Sequence, residues 1–416
     1  MKPFAHQLQN ACDLLVSIRK CGTGIDASHT GTGKSLTALL VARVLKLKPM
    51  IVCPLSVGAA WESKGAQAGV PLDWINYEKA RVVRGKGGGP GWLAKKIGCG
   101  EVDPSTHLFI FDESHRIKAP TSLQSELAMG VCDRGFKTLQ LSATPFSSPL
   151  ETRAVLHLTG RITELSQWYR RLTDLGCRRM TWIRGKPWKW DGDPQDIVAL
   201  REHLRDNMVA TKWTDVEGFP DIVVDPVAFT LPPADRKRVD ELRATLDPTN
   251  IGDTAAERIE VEMIRVPAMV EQAKDAMSDG NSVCVFFNYT EPLKEFVLRT
   301  SCDYIDGSVQ TARRKEIADT FQSATKPTLI ALNAQAGGEG IDLHDTNGIP
   351  RLEIISPPYS AILLNQIIGR IHRIGGRSKA VCRILFAADT VESDSIMPRV
   401  IARRENIASL TDRDLT

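Results

Sequence analysis

The stretch ASHTGTGKS at 27–35 constrains this chain more than any other. Gly31 and Gly33 let the backbone curl so that N–H groups converge at the start of a helix, which is how a chain cradles phosphate. Thr32 lies between them as part of the cradle. Lys34 adds a charge that reaches the β and γ phosphates of a nucleotide, and the Ser35 hydroxyl can ligand magnesium. Ser28 stands first in the loop, where glycine is commoner. Taken alone, the same residues also make a glycine-rich turn without chemistry.

The apolar runs say what surrounds the loop. Residues 6–20 have helical spacing. PMIVCP at 49–54 reads as a buried parallel strand. HLFIFDESH at 107–115 is a strand ending on Asp112 and Glu113. Carboxylates at such a strand tip face the crevice where α/β folds hold ligands. Asp112 can hold magnesium, and Glu113 can orient and polarise an attacking water. KTLQLSATP at 137–145 is a further strand with Ser142 and Thr144 at its tip, which alone would be an ordinary turn. In the second half VCVFFN (283–288), TLIALN (328–333) and LEIISPP (352–358) read as strands. QIIGRIHRIGG reads as a helix with Arg370 and Arg373 on one face, able to meet a γ-phosphate.

A chain of 416 residues is too long for one core and calls for two or three domains. Its formal charge of +3 neither demands nor excludes a nucleic acid. No run of apolar residues is long enough for a membrane span and the N-terminus has no leader pattern, so an intracellular chain is expected. Nine cysteines without a CxxC read as reduced, mostly buried thiols.

Taken together, the blocks resemble superfamily 2 helicases and translocases. HQ at 6–7 looks like the adenine-recognition region, with Gln7 as its glutamine. DESH matches D-E-x-H, and LSATP resembles the block that couples ATP to the nucleic-acid track. Within the superfamily the Swi/Snf-type group looks nearest: IVCPLSVGAAWESK (51–64), INYEKA (75–80), YIDGSVQTARRKEIADTFQ (304–322), LNAQAGGEGIDL (332–343) and NQIIGRIHRIGG (365–376) resemble its blocks in order. The resemblance spans nearly the whole chain. It implies two tandem RecA-like α/β domains, each a mainly parallel sheet flanked by helices, with ATP in the cleft. The expected domains are 1–222, carrying a Trp-rich basic insertion at about 160–213, and 223–416. The link is expected near 218–236. It assigns catalysis to Lys34, Glu113, Arg370 and Arg373. It assigns nucleotide binding to Gln7, Gly31, Thr32, Gly33, Lys34, Ser35, Asp112 and Gln366, and Mg2+ to Ser35 and Asp112. Asp342 would touch the ribose or the coupling network.

The implied activity is ATP hydrolysis coupled to movement along duplex, forked or branched DNA, ahead of RNA, with replication or recombination proteins as partners and no membrane. Both sets of catalytic groups lie in one chain, so a monomer suffices. The size fits a bare motor of phage or bacterial type, working in the cytoplasm of a bacterium or phage-infected cell. A strand-separating helicase and a low-turnover adaptor are the alternatives; intact Lys34, Asp112, Glu113, Arg370 and Arg373 speak against the adaptor. Trp168, Trp182, Trp188, Trp190 and Trp213 are interleaved with Arg170, Arg171, Arg178, Arg179, Arg184, Lys186 and Lys189. They read either as a nucleic-acid element or as a packed insertion. Trp168 and Trp213 lean to packing, and WIRGKPWKW to exposure. RGKGGGPGW (84–92) is a second basic loop candidate, or a plain surface loop.

Overall fold

The computed structural model describes residues 2–81, 92–179, 188–246, 251–337 and 341–402. In chain order the first unit carries β1 (Thr23–Asp26), β2 (Lys48–Cys53), β3 (Asp73–Asn76), β4 (His107–Asp112) and β5 (Lys137–Leu141). A short pair follows, β6 (Arg178–Arg179) and β7 (Trp188–Lys189), and then β8 (Met208–Val209). Six of these form one parallel sheet in the order β3-β2-β4-β5-β1-β8. Helices α1 (Ala5–Cys21), α2 (Lys34–Leu45) and α3 (Gly58–Ala68) belong to the same unit.

An all-parallel sheet is covered on both faces, and the central strands are apolar on both. Alternate β4 residues serve opposite faces: Leu108 and Ile110 meet Leu14, Ile18, Leu39 and Trp61, whereas Phe109 and Phe111 meet Tyr77, Leu127 and Phe136. Each fully buried phenylalanine contributes about 1.5–3 kcal/mol of transfer free energy. The β1 strand, TGID, is short and half polar, yet wholly buried. Its Thr23 and Thr138 hydroxyls hydrogen-bond across to β5 at 2.7 Å. Gly24 leaves room for α1, since a Cβ there would lie 3.0 Å from Leu14.

The described part of the Trp-rich insertion is packed. Trp168, Leu172, Ile197, Leu200 and Leu204 form one core with Ile25 and Phe146, and Trp188 and Trp190 lie half-buried against it. The Trp190 indole N–H donates to Asp196 Oδ2 at 2.6 Å, and the Trp188 ring stacks on Tyr169. The exposure expected for these two tryptophans is therefore corrected to packing. Trp182, Arg184, Gly185, Lys186 and Pro187 lie outside the described residues, as does 84–91 of the other basic loop.

The second unit begins at Glu217. It carries β9 (Ile222–Phe229), β10 (Ser282–Phe287), β11 (Asp303–Ile305), β12 (Leu329–Asn333), β13 (Arg351–Ile355) and β14 (Ala380–Ala387). They make a second parallel sheet, β11-β12-β10-β13-β14-β9. Two tandem RecA-like α/β units are thus present. The expected link at 218–236 is corrected: most of it is β9 and the start of the helix Pro233–Thr245. β9 tolerates Pro226 because it is an edge strand, where a missing N–H costs no ladder bond.

All nine cysteines are free thiols, but Cys12, Cys21 and Cys99 are exposed and only Cys53, Cys177, Cys284 and Cys382 are buried. The expectation of mostly buried thiols was too strong. Among the described residues, no helix is long and apolar enough to cross a membrane.

Candidate functional site

The loop between β1 and α2 takes the conformation its glycines permit. Gly31 and Gly33 have φ of 79° and 90°. Space also excludes a side chain at Gly33, where a Cβ would lie 2.1 Å from Gln7 Nε2. Gln7 is buried under the loop: its amide donates to Thr32 O at 3.0 Å, and its carbonyl accepts from Phe4 N at 3.0 Å. His6 Nε2 sits 2.9 Å from the same Thr32 carbonyl. Thr32 in turn donates its hydroxyl to His29 O at 2.9 Å. Lys34 Nζ donates to Ser28 O at 2.8 Å and His29 O at 3.0 Å.

Ser28, in the place where glycine is commoner, has its own role. Its hydroxyl accepts from Asn10 Nδ2 at 3.2 Å and from Thr211 N at 3.1 Å. Trp213 continues this contact: its indole N–H donates to Thr30 O at 2.8 Å, and its ring meets His29 edge-on at 4.5 Å. Asp26, buried below the loop, accepts from Ser28 N at 3.0 Å. Burial raises its pKa against the pull of Lys34. None of Asn10, Asp26, Thr211 or Trp213 was legible as a site residue.

The acidic pair sits at the tip of β4. Asp112 Oδ2 accepts from the Trp61 indole at 2.7 Å, and Oδ1 from Glu113 N at 3.0 Å. Tyr77 fixes the strand end by donating to Asp112 O at 2.8 Å. Burial and the adjacent Glu113 push the Asp112 carboxyl up to about 6, while Trp61 and Lys64 pull it down. Glu113 has φ of 50°, a left-handed conformation that costs about 1–2 kcal/mol outside glycine. Its carboxylate stands 3.3 Å from His115 Nδ1. Ser142 and Thr144 form a local turn in which Thr144 N donates to Ser142 Oγ at 3.1 Å.

One helix ties the loop to the acidic pair. Trp61 and Lys64 are three apart on α3, hence on one face. Trp61 takes Asp112, and Lys64 Nζ donates to Ser35 Oγ at 3.2 Å. A single positive group thus lies against Ser35 and within electrostatic reach of Asp112. A hydroxyl and a carboxylate around a cation are the hard-oxygen donors magnesium takes, phosphate and water completing its shell. Ser35 and Asp112 therefore fit the ion. Among the described residues no group of three His, Cys, Asp or Glu could hold a metal. The WESK spacing was the one sequence signal for Lys64.

In the second unit the helix Ala361–Ile371 ends before Arg373. Arg370 and Arg373 therefore do not share a helix face, because the backbone turns extended at His372. Arg370 is buried and donates to Ile341 O at 2.7 Å and Gln366 O at 3.1 Å. Arg373 pairs with Asp342 at 2.6 Å, which is where Asp342 finds its partner. Gln366 is buried, and its Nε2 has no hydrogen-bond partner among the described residues. Part of the glycine loop before Ile341, residues 338–340, lies outside the described residues.

On the insertion, Tyr169, Arg170, Thr173, Cys177, Arg179 and Trp188 line a surface groove of about 450 Å³. Arg170 and Arg179 are exposed there.

Residues 266–375 match the family described as helicase conserved C-terminal domain. The chain is 25% identical over its whole length to "Putative ATP-dependent RNA helicase L364" of Acanthamoeba polyphaga mimivirus, spanning 84% of that protein. It is 24% identical over 96% of its length to the DNA annealing helicase and endonuclease ZRANB3 of Mus musculus. It is 23% identical over 73% of its length to the SWI/SNF-related matrix-associated actin-dependent regulator of chromatin subfamily A-like protein 1 of Drosophila melanogaster. It spans only 40% and 41% of those two proteins. A solved structure, the Sulfolobus solfataricus SWI2/SNF2 ATPase core in complex with dsDNA, covers 99% of this chain and 94% of that one, at 15% identity and a TM-score of 0.41. That likeness is too distant to bear on how the units are arranged.

Proposed function

We propose that this chain, similar to superfamily 2 helicases of the Swi/Snf type, hydrolyses ATP and couples the hydrolysis to movement along duplex or forked DNA. The observation that carries the proposal is α3, which binds the phosphate loop and the acidic strand tip into one cluster through Lys64–Ser35 and Trp61–Asp112.

In this reading the N–H groups of 31–35 and the Lys34 ammonium hold the β and γ phosphates. Gln7, fixed against Thr32, recognises the base. Ser35 and Asp112 would hold Mg2+, which would supply positive charge beside the phosphates. Trp61 keeps the Asp112 carboxylate turned to that task, as partners of metal ligands do. Glu113 orients and polarises the water that attacks phosphorus, giving ADP and phosphate. Arg370 and Arg373 stabilise the charge that builds on the γ-phosphoryl group, with Gln366 beside them and Asp342 steering Arg373. DNA is contacted mainly through phosphates, and the exposed Arg170 and Arg179 of the insertion are two such contacts. The DNA-acting names of two relatives favour that track. The RNA named for the mimivirus protein, which matches over the whole of this chain and 84% of its own length, makes RNA the second reading.

The test is steady-state ATP hydrolysis without nucleic acid and with single-stranded DNA, duplex DNA, forked DNA and RNA, alongside strand displacement. Stimulation by duplex or fork without displacement is expected. Stimulation by RNA alone would transfer the proposal to the second reading. A rate indifferent to every polymer would end both. Lys34→Ala should abolish turnover in every arm, and normal turnover in that variant would remove the site assignment.

A further inference from the structure

Lys64 is the one side chain of the cluster that the reaction above does not use. It is half-buried on the inner face of α3. Its ammonium donates to the Ser35 hydroxyl at 3.2 Å, and three residues earlier Trp61 grips the Asp112 carboxylate at 2.7 Å. The lysine thus lies on the hydroxyl of one proposed metal ligand, and its charge acts on the carboxylate of the other. A divalent cation bound to Ser35 Oγ needs the same oxygen lone pair and the same field. Two cations a few ångströms apart in a half-buried site repel strongly, so occupancy by one works against the other.

We propose that Lys64 is a built-in counter-cation of the phosphate site: it competes with Mg2+ for Ser35 and Asp112, and it sustains nucleotide binding when the metal is absent. This rests on the nucleotide-site reading given above. The physical logic is charge substitution. The β and γ phosphates need positive charge beside Lys34 to be held in a site with a buried carboxylate. A lysine already drawn onto Ser35 supplies one unit of it without metal. When Mg2+ takes the Ser35 hydroxyl, the ammonium must leave that oxygen, so the metal requirement is set partly by Lys64 and not by the two ligands alone.

The experiment is fluorescence titration of the full chain with a mant-labelled ADP, once in EDTA and once across a Mg2+ series. The proteins are the parent, Lys64→Met, Lys64→Arg and Lys34→Ala, each checked for folding by circular dichroism. Lys64→Met removes the charge and keeps the length. It is expected to weaken metal-free binding roughly tenfold, as loss of one charge contact does. It should also lower the Mg2+ concentration needed for half-maximal binding severalfold. Lys64→Arg should keep the metal-free binding. Equal affinities for Lys64→Met and the parent in both arms would overturn the proposal. An equal loss in both arms, not rescued by arginine, would overturn it too, because a purely structural role predicts that. If the folded parent binds no mant-ADP in any arm, the nucleotide-site reading itself fails and this proposal falls with it.

Discussion

Gly33 has neither the space nor the backbone angle for a side chain. A methyl group there would strike the Gln7 amide, and the residue sits at φ of 90°. Gly33→Ala is therefore expected to lower stability by about 1–3 kcal/mol and to remove nucleotide binding. Thermal melting and mant-ADP titration check this, and a variant behaving like the parent would mean the loop has slack. Ser28 makes the reverse case: glycine is the commoner residue there, yet Ser28→Gly would strip two hydrogen bonds from Asn10 and Thr211. A loss of about 1–2 kcal/mol in urea unfolding is expected, with nucleotide binding retained. The two residues mark what a sequence tells. The glycine-rich loop at Gly31 and Gly33 and the acidic strand tip at Asp112 and Glu113 were legible because their local conformation is set by neighbours a few positions away. Asn10, Thr211 and Trp213 were not, because they reach the loop only after the chain has folded back on itself.

Elements carry a different kind of information. The strands β2, β4, β5, β10, β12 and β13 were readable as apolar runs. β1 escaped notice because TGID looks like a turn, and its burial depends on partners in β5 and α1. The helix around Arg370 was readable too, but not its end at Ile371, which took Arg373 off the expected face. β13 contains an oddity of the same origin: Glu353 is fully buried among apolar strands. Burial pushes its carboxyl up to about 8, against small downward pulls from Cys382 and Arg370. The folded state therefore holds a proton there that the unfolded chain releases near pH 4.5. Stability should fall as pH rises from about 4.5 through about 8, by on the order of a few kcal/mol, and level off above. Glu353→Gln should flatten that slope. Urea midpoints from pH 5 to 9 measure it, and parallel curves for parent and variant would contradict the buried acid.

At the scale of the molecule, 53 basic and 50 acidic residues nearly cancel, so no global field draws a polyanion in. In the proposed function, attraction to DNA therefore falls to local groups such as Arg170 and Arg179 on the insertion groove. Replacing both by glutamate is expected to raise the DNA concentration for half-maximal ATPase stimulation roughly tenfold at low salt. The difference should shrink as salt rises. A salt-independent difference would point to misfolding of the insertion instead. The two-unit plan was legible from the order of blocks, but the boundary was not. Proline and glycine at 218–233 suggested a linker, whereas an edge strand tolerates them equally well. The crossing point at Val216 and Glu217 gives the Trp213 contact a meaning beyond packing. Just before the chain leaves the first unit it is moored to the glycine-rich loop, by Thr211 N on the Ser28 hydroxyl and by the Trp213 indole on the Thr30 carbonyl. Just after, it becomes β9 of the other sheet. A chain so tied cannot shift at Thr211 or Trp213 without disturbing that loop, so the last residues before β9 are held by the first unit and not left slack.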